Sequence, residues 1–251
     1  MSSARFEVRV RSTELLPVDV FFPSTPDGFP TGSAHPAVVL LQGGAVDVER
    51  YHWLAEAVAR GGMVVALPHH ASRLAILSLD DGAFARQLLI EPPEGSLLTG
   101  AVNPDRIAVG GHSLGGVVAV KLALQGGFAA AALLASLPDP ADAAALPGLG
   151  LPTLSLAGAQ DCQAQLDEVR AGWEQLPSPS VLAVLSGATH YQFTDDDSPD
   201  RTRDCPPTAS LEDSHRRIAA ALVAFLEPAT SSGTTGADGL RGIDGLTVEE
   251  R

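Results

Sequence analysis

The stretch Ile107-Ala108-Val109-Gly110-Gly111-His112-Ser113-Leu114-Gly115-Gly116 decides how the rest of the chain is read. A short apolar run ends in glycine, His-Ser-Leu follows, and two more glycines lead into the helix-like run from Val117 to Leu124. This is Gly-x-Ser-x-Gly between a strand and a helix, the arrangement called a nucleophile elbow. Ser113 has to occupy a sharp, strained turn that raises its hydroxyl above the sheet. Side chains at 111 and 115 would collide with neighbouring backbone, so glycine is the residue that fits. A helix starting near Leu114 aims its free N–H groups and positive dipole end at Ser113, which favours an alkoxide and then an oxyanion. The rival reading, a glycine-rich turn without chemistry, is disfavoured by this context.

Outward from the elbow, apolar runs that suit strands alternate with helical spacing. Strands are expected at Phe6–Val10, Pro17–Phe22, Ala37–Leu41, Met63–Leu67, Arg106–Val109, Ala130–Ala135, Thr153–Leu156 and Val181–Leu185. The alanine run at 130–135 is read as a strand against its helix propensity, because it ends at Ser136-Leu137-Pro138. Helices are expected at Arg50–Arg60, which stops at Gly61-Gly62, at Arg73–Ile90 unless Asp81-Gly82 breaks it, after the elbow, and at Gln163–Gln175 and Leu211–Leu226. The alternation implies an α/β fold, a mostly parallel eight-stranded sheet with helices on both faces and an antiparallel hairpin at one edge. One catalytic domain should span 1–227. The Ser/Thr/Gly-rich segment Pro228–Arg251 reads as a flexible C-terminal tail.

Composition narrows the class. The chain has 251 residues, 45% hydrophobic and 18% charged, enough to bury a large core. A net charge of -14 without a basic patch argues against nucleic acid and anionic membrane surfaces as partners. No run approaches the ~18–20 apolar residues of a membrane span, and no apolar signal core precedes Val10. A cytoplasmic protein is the expectation. Oligomeric state is not legible.

In parallel sheets, sites form beyond the carboxyl ends of strands. Ala157-Gly158-Ala159-Gln160-Asp161 follows one late strand, and Ser186-Gly187-Ala188-Thr189-His190 follows the next. The chain order Ser113, Asp161, His190 is the hydrolase order, with His190 as general base and Asp161 holding its imidazole. Turnover should therefore rise with pH across the range in which an imidazole loses its proton. Asp161 also suits a helix N-cap. His69, His70, His112 and His215 compete for the base, and Asp139 and Asp142 are the fallback acids. The oxyanion donors should be the N–H of Leu114 and that of Gly44, with Gly43 and Ala45 as near alternatives. Gln42, Gly43, Ala45 and His112 are the expected substrate contacts.

Cys162 follows the candidate acid and Cys205 lies beyond the candidate base, so a disulfide and two free thiols stand on equal terms. The loop Asp195-Asp196-Asp197-Ser198-Pro199-Asp200 matches no defined calcium spacing, and a solvated acidic loop is preferred to a metal site.

With these residues placed, residues 5–227 resemble the α/β-hydrolase superfamily. Three stretches look like its dienelactone hydrolase, chlorophyllase and cutinase-like branch. They are Tyr51-His52-Trp53-Leu54-Ala55-Glu56 with Gly61-Gly62-Met63-Val64-Val65, Asn103-Pro104-Asp105-Arg106-Ile107, and Gly187-Ala188-Thr189-His190-Tyr191. The resemblance implies a serine esterase that needs no cofactor, with Ser113, Asp161 and His190 as triad and Gly44 and Leu114 as oxyanion donors. Many relatives carry His-Gly where this chain has Gln42-Gly43, a change that keeps the backbone donor. Serine at 113, in place of the cysteine of some dienelactone hydrolases, points to ester hydrolysis. Larger relatives insert a helical cap where this chain has only Ser136–Leu151, so little or no cap is expected, and the open site should admit bulky or polymeric esters. An acyltransferase or thioesterase would use the same residues, and a non-catalytic ligand-binding protein on this scaffold is the reading from another class.

Overall fold

The computed structural model of the protein describes residues 1–9, 15–25, 34–70, 79–195 and 204–251. An antiparallel pair comes first, β1 (Ser2–Arg9) and β2 (Leu15–Phe22), followed by β3 (His35–Leu41), α1 (His52–Arg60), β4 (Val64–Pro68) and α2 (Leu79–Ile90). Then come β5 (Val102–His112), α3 (Leu114–Gln125), β6 (Ala130–Leu134), β7 (Thr153–Gly158), α4 (Leu166–Trp173) and β8 (Ser180–Leu185). The chain closes with α5 (Leu211–Ser232), α6 (Ala237–Arg241) and β9 (Leu246–Glu250). One sheet runs in the order β1-β2-β4-β3-β5-β6-β7-β8-β9, parallel from β4 to β8.

The uninterrupted apolar runs become strands covered on both sides, as expected for a parallel sheet. Period-two alternation splits each run between two layers. Val38, Leu40 and Ala108 lie in the apolar layer shared with α1 and α5, whereas Val39, Leu41 and Val109 lie in the layer shared with α2, α3 and α4. The alanine run does form a strand, β6, because it is fully buried between α3 on one side and α5 on the other. Its small side chains let those helices close on the sheet, and tertiary packing overrides propensity.

One proviso falls away and two expectations need correction. Asp81-Gly82 does not break α2; Gly82 is buried where a Cβ would strike the Leu122 side chain of α3. The start expected at Arg73 falls at 71–78, outside the described residues. Among the described residues the sheet has nine strands rather than eight, and Pro228–Arg251 is not a flexible tail. Helix α5 runs through Pro228, and the hydroxyls of Thr230, Ser231 and Ser232 donate back to the carbonyls of Leu226, Glu227 and Pro228. Strand β9 then pairs antiparallel with β8, and Arg170 of α4 reaches Glu249 at 2.6 Å.

The opening hairpin is fastened by one carboxylate. Asp19 on β2 is only 6% exposed, so its charge must be partnered. Arg5, its register partner on β1, donates from Nε at 2.6 Å and Nη2 at 3.0 Å; His69 lies at 2.8 Å and His52 of α1 at 3.1 Å. Burial pushes the Asp19 carboxyl up, but hydrogen bonds and charge from Arg5 and His69 outweigh it and hold it at about 2, against 3.8 in an unfolded chain. A depressed carboxyl contributes stability that is complete above its unfolded value and lost as pH falls through the folded one. The thermal midpoint of the wild type should therefore drop between pH 3.8 and about 2, and Asp19→Asn should flatten that part of the curve. Unfolding followed by circular dichroism across the acid range checks this; an unaltered slope in the variant refutes it.

Candidate active site

Strand β5 delivers Ser113 and helix α3 begins directly after it. Ser113 has φ 54° and ψ -122°, a conformation costly for any residue with a Cβ. The turn is overdetermined. Ser113 N–H donates to Leu134 O at 2.9 Å, and its carbonyl accepts from Gly116 N–H at 2.9 Å and Ser136 Oγ at 2.7 Å. A Cβ at Gly111 would run into the backbone of Gly115, and one at Gly115 into the carbonyls of Leu41 and Gln42. The glycine pattern is thus a steric requirement of bringing β5, α3 and the loop after β3 together.

Asp161 lies in the turn after β7 and His190 in the turn after β8. Asp161 Oδ1 accepts the N–H groups of Gln163 at 2.7 Å and Ala164 at 2.8 Å. Its Oδ2 meets His190 Nδ1 at 2.8 Å. Asp161 is placed to partner His190, but it is not the cap of a helix: its Oδ1 closes a non-helical turn over 162–164, and the N-cap position of α4 is Gln165. Because that turn intervenes, α4 begins at Leu166 rather than Gln163.

His190 and Ser113 line one cleft of about 200 Å³. No direct hydrogen bond joins Ser113 Oγ to His190 among the described residues; such bonds often tighten only when substrate arrives. Leu114, Val117, Leu137 and Ala164 form the apolar wall, with Gln163 beside them. Between Ser136 and Leu151 only two short 3-10 turns occur, Pro140–Asp142 and Leu146–Gly148, so that segment inserts no helical cap.

The competing residues are engaged elsewhere. His69 is held by Asp19, and His70 Nδ1 pairs with Asp81 at 2.9 Å. His215 stacks on Trp53 with ring centroids 3.5 Å apart. Asp139 and Asp142 both bind Lys121, at 2.9 and 2.6 Å.

Gly44 abuts Leu114 so closely that a Cβ there would overlap the leucine side chain. Neither backbone amide has a hydrogen-bond partner among the described residues. Gly43 is different, because its N–H donates to the Tyr51 hydroxyl at 2.9 Å. That removes it as a donor to substrate. Ala45 is exposed with φ 59°.

Gln42, Gly43, Gly44, Ala45 and His112 are not among the residues that line this cleft. His112 is 1% exposed and sits beneath the site, 2.9 Å from Tyr51 Oη and with its ring centroid 4.6 Å from that of His190. Burial first, and the neighbouring His190 charge second, hold it well below the ordinary imidazole range. Both causes favour its uncharged form. Sequence reasoning missed Tyr51 in this role: its hydroxyl ties the loop after β3 to the residue before Ser113. It also left open the disulfide, which the structure forms between Cys162 and Cys205 with Cα atoms 5.5 Å apart.

With an overdetermined serine turn, an Asp–His pair beyond the next strands and this strand order in place, comparison with known proteins is decisive. A family model described as the alpha/beta hydrolase family matches residues 37–198, more than half of the chain. The chain belongs to the alpha/beta hydrolase family. Among curated proteins, no sequence matches this hydrolase. The matched span contains Gly44, Ser113, Asp161 and His190, and stops before Cys205 and β9. No helix among the described residues of the hydrolase is long and apolar enough to cross a membrane. No group of three or more potential metal ligands occurs among those residues, and Asp196–Asp200 of the acidic loop lie outside them.

Proposed function

We propose that this hydrolase cleaves carboxylic esters through an acyl-enzyme. Ser113 attacks the ester carbonyl and passes its proton to His190 Nε2. Asp161 holds Nδ1 protonated and stabilises the imidazolium. The amides of Gly44 and Leu114 receive the oxyanion. His190 returns the proton to the departing alcohol, and water resolves the acyl-serine by the same path. The observation that carries this reading is the Asp161–His190 hydrogen bond at 2.8 Å, opening onto the cleft that contains Ser113.

The wall beside Ser113 is apolar, which suits an uncharged acyl group. At about 200 Å³ the cleft is smaller than the ~300–1,000 Å³ pockets that engulf drug-sized ligands. A long or polymeric ester would place only its scissile end there and leave the remainder outside. The branch resembling dienelactone hydrolases, chlorophyllases and cutinases fits such substrates. The Cys162–Cys205 bond supports an oxidising compartment in place of the cytoplasm expected from sequence.

A series of p-nitrophenyl esters from acetate to long acyl chains tests the proposal. All should be turned over, with a gradual change in rate along the series. A steep cutoff after the shortest esters would count against the open site, and absence of turnover throughout would overturn the esterase reading. Release of product to an added alcohol or thiol, faster than to water, would assign the same residues to acyl transfer.

A further inference from the structure

The acid and base of the candidate triad come from loops far apart in sequence, and a second carboxylate joins those loops. Asp204 Oδ1 accepts the N–H of Cys162 at 3.1 Å and that of Cys205 at 2.9 Å. Its Oδ2 accepts the N–H of Tyr191 at 3.1 Å. Cys162 is the chain neighbour of Asp161, and Tyr191 is that of His190. Asp204 therefore grips the backbone one residue beyond each member of the pair. The disulfide between Cys162 and Cys205 closes the same two loops across 43 residues of chain, and it anchors the residue next to Asp204.

We infer that Asp204 is a positioning residue for the Asp161–His190 pair, held in place by the Cys162–Cys205 disulfide. The inference rests on the esterase reading for its kinetic consequence, not for its geometry. Hydrogen bonds from backbone N–H groups to a carboxylate are roughly twice as strong as neutral ones. Here they fix the two peptide planes from which the catalytic side chains spring. The disulfide and the Gln160 N–H to Ala188 O bond at 2.9 Å also join the two loops, but only the Asp204 bonds grip the peptide on the far side of both Asp161 and His190, whose contact must stay well aligned as the proton moves. A displacement of about 1 Å at a reacting group costs on the order of 100-fold in rate.

The geometry separates two variants. Asp204→Ala removes both grips. Asp204→Asn keeps one oxygen, which two N–H groups call to the Oδ1 position, and so turns its NH2 against the Tyr191 N–H. The acid side stays held while the base side is released.

The experiment measures three things on the full chain: p-nitrophenyl butyrate kinetics, the thermal midpoint, and the low-field proton resonance of the His190 imidazole N–H. Asp204→Ala should lower kcat by roughly 10- to 100-fold with KM changed less than about threefold. Asp204→Asn should fall between it and the wild type. In both, the low-field resonance should broaden or move upfield. In a Cys162→Ser/Cys205→Ser background the added effect of Asp204→Ala should shrink, because the side chain has already lost its anchor. If Asp204→Ala does not fold, the asparagine variant carries the same comparison. Unchanged kcat and resonance in either folded variant would overturn the inference. So would an Asp204 effect of equal size with and without the disulfide. A wild type that turns over no ester but shows a resonance sensitive to Asp204 would sink the esterase reading and leave the positioning role standing.

Discussion

Ser113→Ala should lower ester turnover by on the order of 10⁶-fold, the scale on which serine hydrolases lose kcat with their nucleophile, while the protein melts where the wild type does. The second half of that expectation comes from the turn itself. Its strained backbone is held by Ser113 N–H to Leu134 O, and by the Ser113 carbonyl to Gly116 N–H and Ser136 Oγ. None of these bonds uses the Ser113 hydroxyl, and alanine keeps the same Cβ in the same conformation. The substitution therefore subtracts a nucleophile and little else. Turnover of p-nitrophenyl butyrate, labelling by a fluorophosphonate and a circular dichroism melt together check it. Labelling that persists in the variant would place the reactive group elsewhere.

Asp161→Asn should cost about 10⁴-fold in kcat, more than loss of a charge alone suggests, because the site dictates which way the amide faces. Two backbone N–H groups, from Gln163 and Ala164, point at Oδ1 at 2.7 and 2.8 Å. They require an acceptor there, so the asparagine oxygen takes that position. Its NH2 then faces His190 Nδ1, where Asp161 Oδ2 lies at 2.8 Å in the wild type. An NH2 can only donate, so Nδ1 must accept and the ring proton moves to Nε2. That tautomer has no lone pair to receive the Ser113 proton. Asp161→Ala, which imposes no tautomer, should retain more activity than Asp161→Asn if this account holds. Steady-state rates of the two variants decide the matter, and the reverse ranking would refute it.

Features that depend on steric necessity or on uninterrupted burial were legible in the sequence. The glycines at 111 and 115 could be placed because the collisions they avoid are local. Strands β3 to β8 could be placed because short apolar runs bounded by turn residues alternate with segments of helical spacing. The position of Asp161 and His190 beyond successive strands followed from the same rule. What escaped depended on which atom pairs with which across long sequence separations. Gly43 loses its donor to Tyr51, His112 turns inward, and Asp204 reaches back to Cys162; composition carries no trace of these. The C-terminal segment was misread for a further reason. Pro228 and a run of serines and threonines usually end a helix, but here the hydroxyls fold back onto the helix's own carbonyls and the chain goes on to supply another strand.

That added strand has a consequence for the lifetime of the enzyme in solution. β8 carries Leu182, Val184 and Leu185 into the turn that holds His190, and β9 occupies its outer row of peptide groups from Val181 to Leu185. Loss of β9 would uncover that row. Unpaired, it would recruit strands from other molecules, so inactivation and self-association would begin at the same place.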